Sequence, residues 1–307
     1  MGRILCIGQS ALDYTASLSG HIIENRKYRI EELTESGGGP AYNASYLCGL
    51  WEAPVSLISR IGNDENGRKL MDMARSVHVD LDYLVQDEQF KTAYSYIFTN
   101  EKNGSRTLFN FPGKKGDDVC RLPQEEIDVI LSDGHEPELT EQAAAAYPDT
   151  IVVVDAGSYR ESTLRASKLA DYLVCSEDFA AQYTGKNLTL EDWESCEAVF
   201  EQIEGINQKH VVITLGEAGL LYREHGKLTH MPAYRVKAVD TNGAGDIFHG
   251  AFAYGMYRKM NLKDILKMSS MASAISVQYP GSQSAIPELS VVKKKLEEVG
   301  EVFSSSI

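Results

Sequence analysis

Short apolar runs alternate with helical stretches along this chain, and that alternation constrains its fold more than any other feature. Each run is apolar on both faces, as expected for strands of a parallel sheet that is covered on two sides. Apolar residues at helical spacing fill Glu65–Val77 and Glu191–Ile203, and Leu262–Gln278 is apolar nearly all round. The pattern predicts an α/β fold with a parallel central sheet. The predicted strands are Ile4–Ile7, Val55–Ile58, Val129–Leu131, Ile151–Val154, Tyr172–Val174 and Val211–Leu215.

Composition narrows the class of protein. With 307 residues, 43% of them apolar and 24% charged, the chain can bury a full core as an ordinary globular protein. Its net charge of −14 argues against a nucleic-acid or membrane partner, since either needs clustered Lys and Arg. The five cysteines are scattered and predict reduced thiols in a cytoplasmic protein. We expect neither a signal peptide nor a membrane span, because no segment has the required apolar length.

The run Val239–Asp246 is a polar turn with two glycines, and it leads into a small-residue-rich helix at Ile247–Tyr254. Gly243 and Gly245 allow the backbone to come close to a ligand. The free N–H groups and the positive dipole end of the following helix would form an anion site there. Asp246 adds a carboxylate beside that site. A base next to an anion hole is what phosphoryl transfer to a hydroxyl requires.

The same residues allow a simpler interpretation, an ordinary helix start. One of residues 240–242 could be its N-cap, and Asp246 would then be there because the helix dipole favours it. A second glycine-rich turn decides between the two interpretations. Ser36–Ser45 also runs into a predicted helix, which we expect to extend from Asn43 to about Leu50.

Together the two turns resemble the signatures of the ribokinase-like, pfkB-type carbohydrate kinase family. That family carries a GGxxxNxA run near its N-terminus and a DTxGAGD run in its last third. Gly38, Gly39 and Asn43 match the first signature, in which Ser45 replaces the usual Ala. Residues 240–246 match the second signature at every position. The two runs occur in the expected order, roughly two hundred residues apart.

The resemblance implies a ribokinase-like three-layer α/β/α sandwich with a mostly parallel central sheet and a small β-lid. Residues 1–307 would form a single kinase domain, with lid segments near 14–36 and 91–112 inserted in the core. The second lid segment alternates aromatic residues around the turn Asn100–Gly104, which is typical of a hairpin. Its aromatic face would be covered by substrate, by the core or by the lid of a second subunit, as in a homodimer.

The lid also carries a second resemblance. Gly104–Thr107 is similar to the ketohexokinase and fructokinase branch of the family. Arg106 and Asn110, in the same segment, are therefore candidate contacts to the substrate. For Arg106 the alternative is a charge on a surface hairpin.

Other acceptor contacts are implied near the first signature. Asp13 follows the first predicted strand, where a carboxylate can accept hydrogen bonds from two neighbouring hydroxyls; the alternative is a solvated turn residue. Asn43 can donate to and accept from a sugar, although it could also be an N-cap. Gly38 and Gly39 would bring backbone N–H groups close to the sugar.

The nucleotide site is implied by two further stretches. Thr214–Gly219 is similar to the strand and turn that hold ATP in the family, and Gly281 matches the far side of the adenine pocket. In some members a monovalent cation, K⁺, is bound nearby; here Asp240 and the carbonyl of Asn242 would be its ligands. The residues implied for nucleotide binding are Thr214, Gly216, Gly219, Gly243, Gly245 and Gly281.

The magnesium motif of the family departs from its usual pattern. Ribokinase-like enzymes carry an NxxE run that organises Mg²⁺ and phosphate through water. After the strand that ends at Cys175, this chain has Ser176–Phe179 instead, and both Asn and Glu are missing. Glu177 and Asp178 remain candidate carboxylates that would contact the hydrated metal through water.

The sequence thus predicts a sugar kinase. ATP, held with Mg²⁺, would give its γ-phosphoryl group to a hydroxyl of a sugar, by expectation a primary one. Asp246 would take the proton, and the N–H groups of Gly243, Ala244 and Gly245 would stabilise the developing charge. Two alternatives stay open, a nucleoside kinase with the same fold and a non-catalytic sugar-binding regulator. The histidines show no spacing for metal or triad chemistry, so a structural role is expected for them.

Overall fold

The computed structural model describes residues 2–102, 105–113, 120–301 and 303. Asn103 and Gly104, which belong to the predicted hairpin turn, lie outside the described residues. Numbered in chain order, the strands are β1 (Arg3–Ile7), β2 (Ala11–Leu18), β3 (Thr34–Gly38), β4 (Val55–Ile58), β5 (Arg60–Gly62), β6 (Val85–Asp87), β7 (Ala93–Asn100), β8 (Arg106–Phe111), β9 (Ile127–Ser132), β10 (Ile151–Ala156), β11 (Tyr172–Ser176), β12 (His210–Thr214), β13 (Leu220–Glu224) and β14 (Lys227–Met231).

The helices predicted from the sequence are all present and differ from the observed ones only at their ends, and further helices were not predicted individually. The helix expected from Glu191 begins two residues later, at Trp193. Asp192 caps it by accepting a hydrogen bond from the N–H of Ser195. Within the described residues no helix is long and apolar enough to cross a membrane. The helices are α1 (Pro40–Leu50), α2 (Glu65–Ser76), α3 (Pro137–Ala146), α4 (Glu161–Ser167), α5 (Glu177–Thr184), α6 (Trp193–Asn207), α7 (Ala244–Tyr257), α8 (Leu262–Ser276) and α9 (Leu289–Glu298).

The central sheet has eight strands in the order β14-β13-β12-β11-β10-β9-β1-β4. Six of them, from β4 to β12 in that order, are parallel, and β13 and β14 extend the sheet as an antiparallel edge. All six apolar runs predicted as strands lie in this sheet. Strand β1 lies between β4 and β9, one strand from the end of the sheet, and the turn after Ile7 opens at its carboxyl edge, where ligand sites of such folds occur.

Helices cover both faces of the central sheet. Alternate residues of β1 point to opposite sides, so that Ile4 and Cys6 join one core cluster while Leu5 and Ile7 join another. The first cluster includes apolar residues of α1, α2, α7, α8 and α9. The second includes those of α3, α4, α5 and α6. The three-layer α/β/α arrangement predicted from the sequence is confirmed.

The second sheet is the predicted lid, and its strand order is β3-β2-β7-β8. Its strands extend beyond the predicted lid segments 14–36 and 91–112, since β2 begins at Ala11 and β3 ends at Gly38. Ala11 and Leu12, the first two residues of β2, are buried, so that the strand begins close to the end of β1. Asp13 consequently lies within strand β2 and not in the turn that follows β1.

The aromatic face of the lid turns away from the functional site. In the β7–β8 pairing Tyr94 lies opposite Phe111, and their rings stack with centroids 4.5 Å apart. Ser95 and Asn110, which alternate with these aromatic residues, point to the other side and line a cavity. The proposal that substrate covers the aromatic face was therefore wrong. Tyr14 ties one end of that face to the core through a hydrogen bond to Asn66 of α2.

Candidate active site

A cavity of about 170 Å³ lies where the lid meets the two glycine-rich turns. It combines backbone from both turns with polar side chains of the lid. Three of its polar residues, Gln9, Ser95 and Ser282, were not among the predicted site residues, because none belongs to a recognisable motif. The cavity is lined by Gln9, Ala11, Asp13, Gly39, Pro40, Asn43, Ser95, Ile97, Leu108, Asn110, Asn242, Asp246 and Ser282.

The second glycine-rich turn opens helix α7 with an uncapped N-terminus. Gly243 is the N-cap, with a φ of 74° that a glycine adopts freely, and among the described residues no side chain caps the helix. A Cβ at Gly243 would lie 2.7 Å from Cβ of Ser282. Asp240 bonds elsewhere, so the interpretation of an ordinary capped helix start was wrong. The N–H of Ala244 contacts the carbonyl of Thr241 at 3.4 Å, whereas the N–H groups of Gly243 and Gly245 make no such contact within the described residues and can take another partner.

Asp240 fixes the base of that turn. Its Oδ1 accepts the N–H of Asn242 at 2.9 Å, and its Oδ2 accepts the N–H of Gly281 at 3.0 Å. The guanidinium of Arg106 lies 3.7 Å from Oδ1. Arg106 is thus an ion-pair partner in the site and not the free surface charge of the alternative interpretation. Gly281, with a φ of 88°, is held beside the turn by this bond.

Asp246 lies in the first turn of α7, beside Asn43. The amide Nδ2 of Asn43 donates to Oδ2 of Asp246 at 2.7 Å. Burial and, to a smaller extent, the nearby charge of Asp155 raise the pKa of Asp246 to about 7, and the Asn43 hydrogen bond opposes the rise. A carboxylate with such a pKa can accept a proton near neutral pH.

Asn43 occupies a different place in its helix than predicted. Helix α1 begins at Pro40, and its N-cap is Gly39, with a φ of 94°. Asn43 is therefore neither a helix start nor an N-cap. Its side chain is buried, and its Oδ1 has no hydrogen-bond partner within the described part of the chain. A buried amide oxygen in that state favours a ligand donor.

Asp13 faces the cavity from strand β2 and is only 8% exposed. Burial raises its pKa to about 6, and hydrogen bonds from the side chains of Ser95 and Asn242 oppose the rise. Gly38 makes room for this carboxylate, because a Cβ there would lie 2.3 Å from Oδ2 of Asp13. The alternative of a solvated turn residue was wrong for Asp13.

The second signature contacts both the first signature and the lid through side chains. Asn43 reaches Asp246, and Asn242 reaches Asp13. The loop after α8 adds a clamp on the first turn: Oγ of Ser282 donates to the carbonyl of Gly37 at 3.0 Å, and Oε1 of Gln283 accepts its N–H at 2.5 Å. Residues that are distant in the chain thereby form one site.

The turn predicted to hold nucleotide follows β12. Thr214 ends that strand, and its hydroxyl donates to the carbonyl of Cys175. Gly219 has a φ of 102°, and a Cβ there would lie 2.1 Å from the carbonyl oxygen of Met231, so packing alone requires this glycine. Gly216, with a φ of 56°, is open: the nearest atom to its ideal Cβ is Oε1 of Glu177 at 4.0 Å.

Glu177 and Asp178 are exposed in the first turn of α5, which Ser176 caps. Glu177 borders the nucleotide turn through Gly216, whereas no contact of that kind links Asp178 to the turn within the described residues. In residues 2–102, 105–113, 120–301 and 303, no group of three or more His, Cys, Asp or Glu residues is arranged to hold a metal ion. A metal in this site would need ligands from phosphate and water.

Comparisons with known proteins show the family of this chain. The model of the pfkB family of carbohydrate kinases matches residues 1–289. The ribokinase of Lactococcus lactis subsp. lactis is 38% identical over 272 residues, which cover 86% of this chain and 86% of that protein. The structure of Thermotoga maritima ribokinase has a TM-score of 0.81 at 24% identity and covers 97% of this chain and 100% of its own.

A further solved structure is similar over the same length. Arabidopsis thaliana ribokinase complexed with ribose and ATP has a TM-score of 0.83 at 19% identity, and covers 96% of this chain and 99% of its own. At such identities the likeness of the two structures shows the fold alone. The ribokinase-like fold predicted from the sequence is confirmed.

Proposed function

The chain belongs to the pfkB family of carbohydrate kinases, and from that premise we propose how its own residues transfer a phosphoryl group from ATP to a sugar hydroxyl. It is a phosphotransferase with an alcohol as acceptor. The observation that carries the proposal is the carboxyl of Asp246, whose pKa is raised to about 7, at the uncapped N-terminus of α7. At that position the base can accept the proton of the attacking hydroxyl, and the anion site can stabilise the charge on the phosphoryl group that the hydroxyl oxygen attacks.

The proposed step begins with the acceptor hydroxyl beside Asp246. Its oxygen forms a bond to the γ-phosphorus of ATP while the bond between that phosphorus and the β–γ bridging oxygen breaks, which leaves ADP. The hydroxyl proton passes to the carboxylate of Asp246. The N–H groups of Gly243, Ala244 and Gly245 stabilise the charge on the phosphoryl oxygens, because they point at it from a preorganised turn.

The cavity favours a monosaccharide as acceptor. Its volume of about 170 Å³ is below the range of roughly 300–1,000 Å³ of sites for drug-sized ligands. Asp13 supplies an acceptor for two hydroxyls, Asn43 an unpartnered amide oxygen, and Asn110 a further amide. A nucleoside would add a base to the sugar and would have to open the lid.

The first experiment identifies that acceptor. We expect aldoses and ketoses of five or six carbons, with a non-hydrolysable ATP analogue, to raise the melting temperature in a thermal-shift screen, because a ligand that binds only the native state stabilises it. The same sugars should be phosphorylated when ATP is supplied. A rise with nucleosides alone would favour the nucleoside-kinase alternative. A rise with sugars but no turnover with ATP would favour a sugar-binding regulator.

Mg²⁺ fits the residues around the nucleotide turn. The carboxylate of Glu177 is exposed beside Gly216 and can accept hydrogen bonds from metal-bound water. When bound, the ion neutralises charge on the phosphates and holds them in line for transfer. Asp178, in the same helical turn, would assist from farther away. For K⁺ we propose Asp240 and the carbonyl of Asn242 as ligands, where the ion would share the carboxylate with Arg106.

The assignment of Glu177 and Asp178 to the magnesium site predicts a change in the Mg²⁺ concentration that the enzyme requires. Replacing Glu177 by Gln and Asp178 by Asn should raise the Mg²⁺ concentration for half-maximal rate about tenfold, since contacts to metal-bound water contribute on that scale. Saturating Mg²⁺ should restore most of the turnover. Glu194→Gln, at the first turn of α6, is the matched control. An unshifted Mg²⁺ titration, or full activity in EDTA, would contradict the assignment.

The pH profile of kcat/KM should show the ionisation of two buried carboxyl groups, those of Asp246 and Asp13. Asp246 must be ionised to accept a proton, so with its pKa at about 7 kcat/KM should fall about tenfold per pH unit below pH 7. Below pH 6 the fall should steepen, because Asp13, with a pKa of about 6, then loses the charge that binds the acceptor. Steady-state kinetics from pH 5 to 9 checks this. A profile that is flat from pH 5 upward would exclude both carboxyls.

We also propose a homodimer through the lid and a cytoplasmic location. The aromatic face of the lid leaves Phe109 and Phe111 exposed at the sheet edge, and a second lid packed there would bury them. Sedimentation of the native protein beside a Phe109→Ser variant measures the effect. A native protein that sediments as a monomer at micromolar concentration would contradict the dimer.

A further inference from the structure

His249 and Asp155 form a buried pair directly behind the proposed base. His249 lies one helical turn after Asp246 on α7, and Asp155 lies near the carboxyl end of β10. The side chains are 4% and 7% exposed, and Nδ1 of His249 is 3.1 Å from Oδ2 of Asp155. No motif pointed to either residue, and a buried pair of opposite charges requires a reason because its desolvation is costly.

Three oxygen acceptors surround the imidazole ring of His249. Its Nδ1 contacts the carbonyl of Gly245 at 2.6 Å in addition to Asp155, and its Nε2 contacts the carbonyl of Val174 at 3.1 Å. A carbonyl oxygen can only accept a hydrogen bond, and so can an ionised carboxylate. Both ring nitrogens must therefore donate, which requires a proton on each of them.

The neutral forms of the ring do not fit these contacts. With the proton on Nε2 alone, the lone pair of Nδ1 would face the carbonyl oxygen of Gly245 at 2.6 Å. With the proton on Nδ1 alone, the lone pair of Nε2 would face Val174. The imidazolium donates to both carbonyls, and the carboxylate of Asp155 beside Nδ1 balances its charge.

We propose that His249 is a positioning residue held as an imidazolium by Asp155, which orients the first turn of α7 and keeps Asp246 ionised for proton transfer. This rests on the proposed role of Asp246 as base. The bond from His249 fixes the carbonyl of Gly245, and the peptide plane that contains this carbonyl also contains the N–H of Asp246. The ring thus orients an amide at the anion site and places a cation beside the base.

Charges from several elements act on Asp246. Asp155 on β10 and Asp13 on β2 raise its pKa, and His249 on its own helix lowers it. Asp155 is in turn influenced by Asp133 and His135, which follow β9. Burial raises the pKa of the Asp155 carboxyl, and the charge of His249 opposes that shift. Removing the cation alone would leave Asp246 facing two carboxylates.

The test separates the charge of His249 from its hydrogen bond. In His249→Asn, the side-chain amide can still donate to Gly245, but the positive charge is lost. We expect the acidic limb of the kcat/KM profile to move up by about one pH unit, since a nearby opposite charge shifts a pKa by at least this much. In Asp155→Asn/His249→Asn both charges are gone, and the limb should return to the native position.

His135→Asn is the matched control. His135 also pairs with a buried aspartate, with Nδ1 3.0 Å from Oδ1 of Asp133, but it is not among the groups that shift the pKa of Asp246. Its acidic limb should move much less than that of His249→Asn, because His135 acts on Asp155 and reaches Asp246 only indirectly. An unmoved limb in His249→Asn, or an equal shift in the double variant, would overturn the proposal.

A measurement on the native protein needs no variant of His249 to fold. At the pH of the kinetic measurement, the ¹⁵N spectrum should show one buried imidazole with both nitrogens protonated, and this signal should disappear in the double variant. A neutral ring would overturn the proposal. The failure of Asp246 as base is distinguishable, because Asp246→Asn would then keep its turnover whatever the state of His249.

Discussion

Replacing Asp246 by Asn should lower kcat by about two to four powers of ten, the usual contribution of a general base. The amide cannot take the proton of the acceptor hydroxyl. It has the shape of the carboxylate, and its oxygen can still accept the hydrogen bond that Asn43 donates at 2.7 Å. We therefore expect the fold and the binding of ATP to be kept, which steady-state kinetics and a thermal-shift titration with nucleotide would measure.

The control for this variant is the same change at another helix start. Asp192 caps α6 by accepting the N–H of Ser195 at 3.0 Å, and Asn is an equally good N-cap. Asp192→Asn should keep native turnover. If Asp246→Asn also turned over its acceptor at a near-native rate, another group would have to be the base.

Asp13→Ala should lower kcat/KM for the acceptor by about a hundredfold to ten-thousandfold. The variant loses two hydrogen bonds from substrate hydroxyls to a charged group, each of which contributes about 1.5–3 kcal/mol, and 1.4 kcal/mol corresponds to tenfold. Most of the loss should be in the acceptor KM. The KM for ATP should change little, because Asp13 faces the cavity from the lid sheet.

Two further variants, one intermediate and one control, test whether this effect comes from the carboxylate oxygens of Asp13. Asp13→Asn keeps one acceptor oxygen and should fall between Ala and the native residue. Asp87→Ala, in strand β6 and outside the cavity lining, should leave both KM values unchanged. A normal acceptor KM together with weakened ATP binding would place Asp13 on the nucleotide side of the site.

The layers of the fold could be predicted because they depend on local pattern. The central strands are apolar on both faces and are therefore recognisable from a few consecutive residues. The amphipathic helix α2 begins at Glu65 as expected, behind an Asp64 cap that accepts the N–H of Gly67 at 2.8 Å. Both glycine-rich turns lie where the motifs placed them.

What the sequence could not predict depends on contacts between distant segments. The strand around Asp13 could not be predicted, because it belongs to another sheet that begins only three residues after β1. Arg106 could not be paired with Asp240 from spacing, since the lid must first fold over the second turn. His249 has an ordinary helical position, and only the three oxygens around its ring reveal a charged state.

The clamp on the first glycine-rich turn also determines when the site can exist. Gly37 is bonded to Ser282 and Gln283, which lie 245 and 246 positions away along the chain. Contacts of such separation form only after the loop between them has closed. During synthesis the N-terminal segments emerge before the loop that contains Ser282 and Gln283. The first glycine-rich turn therefore lacks this clamp until Ser282 and Gln283 have been synthesised and have folded onto Gly37.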